Sequence, residues 1–178
     1  MKRAANRTGI LTPATIDDLP LINRWLVLPE IRRWWGSPIS NQVEMRLGIR
    51  VADEIGRVFL ICEANSGPVG LVSLIHTKAM AGSPIGWPEF LPANAWEIGI
   101  LIADRKVRKR GLGTRALLEA QNLVFTPFDD PVFAWIEKDN EASLACFAKL
   151  GYVRANENET ASMSSAPLRY DHDDNRPK

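Results

Sequence analysis

The chain has 178 residues, of which 46% are hydrophobic and 24% charged, and its formal net charge is +1. This length suits one domain with its own core, and the composition excludes a disordered or fibrous chain. A dedicated nucleic-acid binder would be more basic. We therefore expect one domain over residues 1–170, followed by a polar, disordered tail over residues 171–178.

The predicted elements mix hairpins with strand–helix–strand units. In chain order they are a strand at 10–13, a helix capped by Thr15 that ends before Pro29, a helix at 41–55, strands at 58–62 and 69–75, a loop at 79–94, a strand at 95–103, a helix at 113–125, a strand at 132–136, a helix at 140–150 closed by Gly151, and a strand near 166–170. The order β-α-α-β-β-β-α-β-α-β predicts an α/β (α+β) domain with one mixed, mostly antiparallel sheet flanked by helices.

Cysteine usage and the N-terminal residues bear on the compartment. Cys62 and Cys146 form no Cys-x-x-Cys pair, and with two histidines no zinc spacing can be assembled. No apolar segment follows the basic residues 1–7, and no apolar stretch approaches the ~20 residues that span a bilayer. We expect a cytoplasmic monomer or homodimer without metal, nucleic-acid or membrane partners.

Residues 97–114 are the most informative segment, because they predict a strand, a basic turn and a helix that opens on Gly111-x-Gly113. Glycines let the free N–H groups of a helix N-terminus approach a ligand, and those groups favour an anion. Arginine and lysine in the turn add the charge that a phosphate needs. A solvated basic turn is the simpler alternative, but the coincidence of features favours a phosphate site.

The same segment also matches a dinucleotide-binding fingerprint. Gly111-x-Gly113-x-x-Ala116 has the glycine spacing, and Glu137 lies ~20 residues further on at a predicted strand end. However, charged residues separate the apolar strand from Gly111, and too few residues follow Glu137 for the rest of a doubly wound domain. A dinucleotide-dependent oxidoreductase therefore stays open as the less favoured alternative.

Two motifs resemble signatures of the GCN5-related N-acetyltransferase (GNAT) superfamily. Arg108-x-x-Gly111-x-Gly113 is similar to its Arg/Gln-x-x-Gly-x-Gly/Ala motif. Residues 140–152, Asn-Glu-Ala-Ser-Leu-Ala-Cys-Phe-Ala-Lys-Leu-Gly-Tyr, are similar to its Asn-x-x-Ala-x-x-x-Tyr-x-Lys-x-Gly-Phe motif. The separation of the motifs and the element order also agree. The resemblance implies the GNAT fold and an acyltransferase that moves an acetyl group from acetyl-CoA to a primary amine.

The resemblance also implies where acetyl-CoA binds. Leu101 and Ala103 would pair through their backbone with the pantetheine arm, and Asn140 would contact the same arm. The pyrophosphate would bind to backbone amides of Arg108, Lys109, Arg110, Gly111, Leu112, Gly113 and Thr114.

Phe147 stands beside the cofactor site where the family often has a tyrosine that protonates the leaving thiolate. Phenylalanine cannot donate a proton. Water, Cys146, Ser143 or a substrate group would then do so, or the enzyme works without a general acid. A protein that binds CoA without catalysis is a further alternative.

Glu97 is the candidate catalytic base. It is the one acid in an otherwise apolar strand, and an ammonium group must lose a proton before its nitrogen attacks a thioester. A carboxylate that merely reaches solvent is the alternative. Some relatives carry the acid two residues further on, at the position of Gly99, which lies on the same strand face.

The acceptor is suggested by residues 25–36, Trp-Leu-Val-Leu-Pro-Glu-Ile-Arg-Arg-Trp-Trp-Gly. This segment resembles the Trp-Leu-x-x-Pro-x-Ile/Val-x-x-Trp-Trp-Gly segment of aminoglycoside 6′-N-acetyltransferases, which act in antibiotic resistance, and of related siderophore-type acyltransferases. The resemblance implies an acceptor cleft between the first helices. Of the pair Trp34 and Trp35, we expect one in the cleft wall and one in the core.

An aminoglycoside is polycationic, so its cleft should be acidic, and Glu89 and Glu137 are the candidate acceptor-binding carboxylates. The pair at 129–130 is expected in a turn, and His76 is expected to be solvated or hydrogen-bonded rather than catalytic. The favoured acceptor is an aminoglycoside 6′-amine. A protein N-terminus or a siderophore hydroxylamine is the alternative within the fold.

Overall fold

The computed structural model describes residues 9–36, 49, 56–64, 66–80, 94–128, 130–154 and 165–170. The strands are β1 (Leu11–Pro13), β2 (Gly56–Glu63), β3 (Gly67–His76), β4 (Trp96–Ile102), β5 (Val132–Glu137), β6 (Val153–Arg154) and β7 (Ser165–Tyr170). The helices are α1 (Leu19–Leu26), α2 (Pro29–Trp35), α3 (Leu112–Phe128) and α4 (Glu141–Ala148). Short 3-10 turns lie at Ile16–Asp18, Thr77–Met80 and Arg105–Val107.

The seven strands form one sheet in the order β1-β2-β3-β4-β5-β7-β6. Every neighbouring pair is antiparallel except β4 and β5, which are parallel. The predicted mixed, mostly antiparallel sheet is thus confirmed. β4 and β5 pair only at Trp96↔Val132 and Glu97↔Phe133. Beyond these residues the two strands separate and leave a slit in the sheet.

The two faces of the sheet carry separate apolar clusters, because side chains alternate along each strand. On one face Trp96 and Ile98 of β4 pack with Leu117 of α3 and Phe147 of α4. On the other face Leu101 packs with Trp25 of α1. Helices α3 and α4 therefore cover one face, and α1 and α2 cover the other.

α2 is a helix that the sequence pattern did not predict. It begins at Pro29, at the first helical position, where the missing N–H costs nothing. It ends at Gly36, which has φ 73° and donates its N–H to the Arg32 carbonyl. Strand β6 was also not predicted. The predicted helix at 41–55 lies outside the described residues except for Ile49, which is helical.

The other predicted elements recur with shifts of one to three residues at their ends. The loop at 79–94 and the tail at 171–178 fall almost wholly outside the described residues. In the part of the chain that is described, no helix has the length and apolarity needed to cross a membrane.

His76 ends β3 in a buried position, so of the two expected states it is the hydrogen-bonded one and not the solvated one. Its Nδ1 accepts the Lys78 N–H at 3.1 Å, and its Nε2 lies 3.4 Å from Asp130 Oδ2. The ring packs edge-on against Trp96. Burial lowers the pKa of His76 below its usual 6.5, and the nearby Asp130 opposes this only in part.

This environment predicts a pH-dependent loss of stability. The unfolded chain takes up a proton at His76 as the pH falls through about 6.5, whereas the folded chain does so only at lower pH. The free energy of unfolding should therefore decline as the pH falls below 6.5. In His76→Asn, which keeps an acceptor for the Lys78 N–H, urea unfolding at pH 7 and pH 5.5 should show a smaller decline. An equal decline in both proteins would contradict the assignment.

Candidate active site

The slit between β4 and β5 encloses a cavity of about 200 Å³. Its lining comes from both strands, both sheet faces and two helices. The lining residues are Trp34, Trp35, Ser73, Glu97, Ile98, Gly99, Ile100, Ala134, Trp135, Ile136, Glu137, Asn140, Ser143 and Phe147. Six of the predicted site residues, Trp34, Trp35, Glu97, Glu137, Asn140 and Phe147, are thereby brought together from four separate elements.

The backbone of β4 faces the slit through alternate residues. The Trp96 N–H points towards β5 and reaches the Pro131 carbonyl at 2.9 Å, whereas the Ala103 N–H reaches the Val69 carbonyl at 2.8 Å on the β3 side. By alternation, the groups that face the slit belong to Ile98, Ile100 and Ile102.

This orientation corrects the prediction for Leu101 and Ala103. Leu101 pairs with Leu71 of β3, and Ala103 is bonded to Val69, so the backbone groups of both are turned away from the slit. A ligand that lies along β4 in the slit meets backbone groups of Ile98, Ile100 and Ile102 instead. The sequence pattern alone could not choose between the two sets, because it does not say which edge of β4 is left open.

Both tryptophans of the Trp34-Trp35 pair line the slit, and Trp35 also packs against the core cluster on that face of the sheet, so it belongs to the cleft wall and to the core at once. Trp25, which is 8% exposed, is a member of the same cluster. Trp35 donates its Nε1–H to the Ile100 carbonyl at 3.3 Å. This bond gives a hydrogen-bond donor to a carbonyl that loses its β5 partner where the strands separate, and it holds the indole against β4.

Ser73 and the indole of Trp35 together leave little room for a side chain at position 99. A Cβ built on Gly99 would lie 2.8 Å from Ser73 Oγ and 3.3 Å from Trp35 Cη2. A side chain at position 99 would require Ser73 Oγ to move and the Trp35 indole to shift by a few tenths of an ångström. Glu97, half-buried and two residues earlier on the same face, is the carboxylate that β4 contributes to the slit.

A second carboxylate reaches the slit from the end of β5. Glu137 is half-buried, and its side chain makes no ion pair with any residue in the described ranges. Trp135 lies two residues earlier and stands edge-on to Phe133. The sequence analysis did not include Trp135, although its period-two spacing from Glu137 would have placed it on the same face. Glu89 lies outside the described residues, and Asp130 contacts His76.

Residues 108–114, the loop predicted to bind a phosphate, follow β4, and we name this segment the anion-binding loop. Lys109 has φ 61° and Gly111 has φ 79°. The Arg115 N–H donates to the Gly111 carbonyl, so Gly111 is the N-cap of α3. The N–H groups of Leu112, Gly113 and Thr114 therefore precede the first intrahelical bond, and a glycine cap has no side chain to occupy them. These donors and the helix dipole suit a phosphate.

The side chains of this loop have different tasks. Arg108 donates its Nε–H to the Ile102 carbonyl at 2.9 Å and approaches the Ala103 carbonyl at 3.4 Å, which ties the loop to the end of β4. Lys109 and Arg110 are exposed, and Arg110 pairs with Glu63. The predicted loop residues thus lie together, but the Arg108 side chain binds backbone carbonyls at the end of β4.

The residue that replaces the expected tyrosine is buried. Phe147 is 1% exposed and packs edge-on against Tyr152, whose hydroxyl accepts a hydrogen bond from Gln121. Of the two side chains that could protonate a leaving thiolate, Cys146 contacts Thr114 at 3.3 Å and does not line the slit. Ser143 does line it. Asn140 caps α4 by accepting the Ser143 N–H, which leaves its amide N–H groups available.

The family model of the acetyltransferase (GNAT) domain matches residues 10–153. The chain belongs to the GNAT acetyltransferase family. The expected fold, the N-acetyltransferase activity and acetyl-CoA as the acetyl donor are confirmed with it, and the oxidoreductase alternative is set aside. A search of curated proteins found no match.

Solved structures share the fold of this GNAT protein at low sequence identity. Aminoglycoside acetyltransferase AAC(6′)-Ib with coenzyme A has a TM-score of 0.70 and 22% identity, over 92% of this chain and 94% of that one. Aminoglycoside N(6′)-acetyltransferase from Legionella pneumophila has a TM-score of 0.64 and 15% identity, over 96% and 97%. Spermidine N-acetyltransferase from Vibrio cholerae, with CoA and spermine, has a TM-score of 0.62 and 17% identity, over 89% and 91%.

Within the described ranges, no group of three or more histidine, cysteine, aspartate or glutamate side chains is placed to hold a metal ion. The residues present do fit acetyl-CoA. Uncapped N–H groups at the start of α3 suit a pyrophosphate, and the open edge of β4 suits the amides of a pantetheine arm.

The two bonds of Arg108 predict that charge alone cannot replace it. Lysine keeps the charge but cannot span both carbonyls, so Arg108→Lys should lower the free energy of unfolding by about 1 kcal/mol and weaken acetyl-CoA binding several-fold. Urea unfolding and calorimetry measure the two effects. Arg110→Lys, at an exposed position of the same loop, is the matched control. Equal behaviour of the two variants would contradict the structural role of Arg108.

Proposed function

We propose that this GNAT enzyme acetylates a primary amine of a polycationic small molecule, with an aminoglycoside 6′-amine as the favoured acceptor. The observation that carries the proposal is the composition of the slit. Two carboxylates, Glu97 and Glu137, stand there with the indoles of Trp34, Trp35 and Trp135. Carboxylates attract ammonium groups, and flat indoles give an apolar wall on which a sugar ring can lie.

The donor is proposed to enter at the anion-binding loop and extend along β4. The N–H groups of Leu112, Gly113 and Thr114 would hold the pyrophosphate, with Lys109 adding charge. The Ile98 carbonyl and the N–H groups of Ile100 and Ile102, which face the slit, would bond the pantetheine arm, because the Ile100 and Ile102 carbonyls already accept from Trp35 and Arg108. The Asn140 amide would donate to the same arm. When bound, acetyl-CoA supplies the thioester whose carbonyl carbon the amine attacks.

Glu97 is proposed as the base. An acceptor amine is an ammonium ion near neutral pH, and it must give up a proton, directly or through water, before its nitrogen lone pair can attack. The half-buried Glu97 carboxylate lines the slit beside Gly99 and Ser73, where the acceptor would meet the donor. The departing thiolate takes a proton from water or from the Ser143 hydroxyl, since Phe147 offers none.

The shape of the site favours a small molecule over a peptide. Trp34 and Trp35 of α2 stand over β4, and Trp135 stands on β5, so the acceptor side has walls rather than an open groove. Among the solved relatives, one AAC(6′)-Ib structure contains kanamycin and the spermidine N-acetyltransferase contains spermine. Both ligands carry several amines, which supports a polycationic acceptor here.

The proposal is tested by thiol release from acetyl-CoA with a panel of kanamycin-like aminoglycosides, spermidine and short peptides. In Glu97→Gln, kcat/KM for the best acceptor should fall ~100-fold or more, while the Kd of acetyl-CoA stays unchanged. Glu141→Gln, an exposed carboxylate outside the slit, is the control and should keep full activity. Tight acetyl-CoA binding with no release for any amine would instead favour a protein that binds CoA without catalysis.

Glu137 predicts a different kinetic signature. If its carboxylate attracts the cationic acceptor without taking part in the chemistry, Glu137→Gln should raise the KM of aminoglycosides about fivefold and leave kcat unchanged. The increase should shrink at high ionic strength, because salt screens the attraction. Steady-state kinetics at 50 mM and 500 mM salt measure both effects. A fall in kcat with unchanged KM would place Glu137 in the chemical step instead.

A further inference from the structure

α2 carries Trp34 and Trp35, which line the slit, and ion pairs join it to the segments that follow β4 and β5, the two rims of the slit. On the β4 side, Glu30 Oε1 lies 2.7 Å from Arg105 Nε and 3.9 Å from Arg108 Nη2. On the β5 side, Arg33 Nη2 lies 3.1 Å from Asp139 Oδ2. The helix that carries Trp34 and Trp35 is therefore joined by ion pairs to both rims of the slit.

The two rims differ in what lies next to them. The Arg33–Asp139 pair is about two-thirds exposed and stands away from the anion-binding loop. Glu30 is only 23% exposed and faces two arginines, Arg105 just before that loop and Arg108 at its first position. The hydrogen bond from Arg105 is the main cause that lowers the pKa of Glu30, so its carboxylate is ionised at neutral pH.

We propose that Glu30 is a positioning residue that competes with the pyrophosphate of acetyl-CoA for Arg105 and Arg108, and thereby links donor binding to the placement of α2. The inference rests on the proposed role of the loop as the pyrophosphate site. Arg108 is the first residue of that loop and Arg105 lies three residues before it, so a phosphate bound there would be a second anion competing for the same guanidinium groups. As Arg105 turns towards it, the bond to Glu30 weakens and the start of α2 is released from the β4 rim.

If Glu30 competes with the pyrophosphate, removing the charge of Glu30 should raise the affinity of the protein for acetyl-CoA. Glu30→Gln keeps an oxygen that can accept from Arg105 but removes the competing anion. Acetyl-CoA should bind about two- to fivefold more tightly at 25 mM salt. The gain should vanish near 500 mM salt, where screening acts within a few ångströms. Calorimetry at both salt concentrations measures this, with thermal unfolding to show that the variant is folded.

A donor without phosphates separates competition from a general structural effect. S-acetylpantetheine carries the thioester and the arm but no pyrophosphate. At a saturating concentration of acceptor, its kcat/KM as a donor should be the same for the wild type and Glu30→Gln. A change equal to that seen with acetyl-CoA would mean that the substitution alters the slit itself, and it would overturn the proposal.

The pair on the opposite rim provides the matched control. Asp139→Asn removes the other attachment of α2 without changing any charge beside the loop. It should leave the Kd of acetyl-CoA unchanged, while the acceptor KM rises in both Asp139→Asn and Glu30→Gln because Trp34 and Trp35 are held less firmly. Arg105→Gln should weaken acetyl-CoA binding, and its effect should be smaller when Glu30→Gln is already present.

The outcomes distinguish the two levels of inference. Unchanged or weaker acetyl-CoA binding by folded Glu30→Gln at low salt overturns the positioning role alone, and the proposed function stands. Wild-type protein that binds no acetyl-CoA overturns the proposed pyrophosphate site and the role of Glu30 together.

Discussion

The parallel pairing of β4 and β5 stops after two residue pairs, and the site depends on that separation. A sheet that opens in its interior exposes backbone groups that would otherwise be bonded, and such groups must find partners. Here Trp35 donates a hydrogen bond to the Ile100 carbonyl, and Arg108 donates one to the Ile102 carbonyl. The same two side chains thereby fix one wall of the slit and the loop above it.

Because the strands separate, each face of the sheet contributes different residues to the slit. α3 and α4 cover one face and bring the anion-binding loop and Asn140 to the slit. α2 lies on the other face and brings two indoles, beside the carboxylates of Glu97 and Glu137. Donor and acceptor are thus proposed to arrive from opposite sides. The charges of α2 connect the sides, since Glu30 reaches the arginines next to the loop.

Much of the fold could be read from local patterns. The period-two apolar runs marked β2, β3, β4 and β5, and the glycines at 111 and 151 marked helix ends, because these signals arise from neighbouring residues. The short helix α2 escaped because Pro29 and the polar Arg32 and Arg33 resemble a turn when no partner surface is visible. Ile31 is buried in the apolar cluster that also contains Leu101, and ion pairs join Glu30 and Arg33 to Arg105 and Asp139; all of these partners are remote in the sequence.

The sequence by itself determined the family, through two motifs at the right separation, and with it the donor and the class of reaction. Glycines and a basic turn before a helix are local features, so their chemistry can be read without a structure. Only the tertiary structure decided that Ile98, Ile100 and Ile102, rather than Leu101 and Ala103, face the slit. It also placed both Trp34 and Trp35 there and added Trp135. Which edge of a strand stays open, and which face a helix covers, depend on partners distant in the chain.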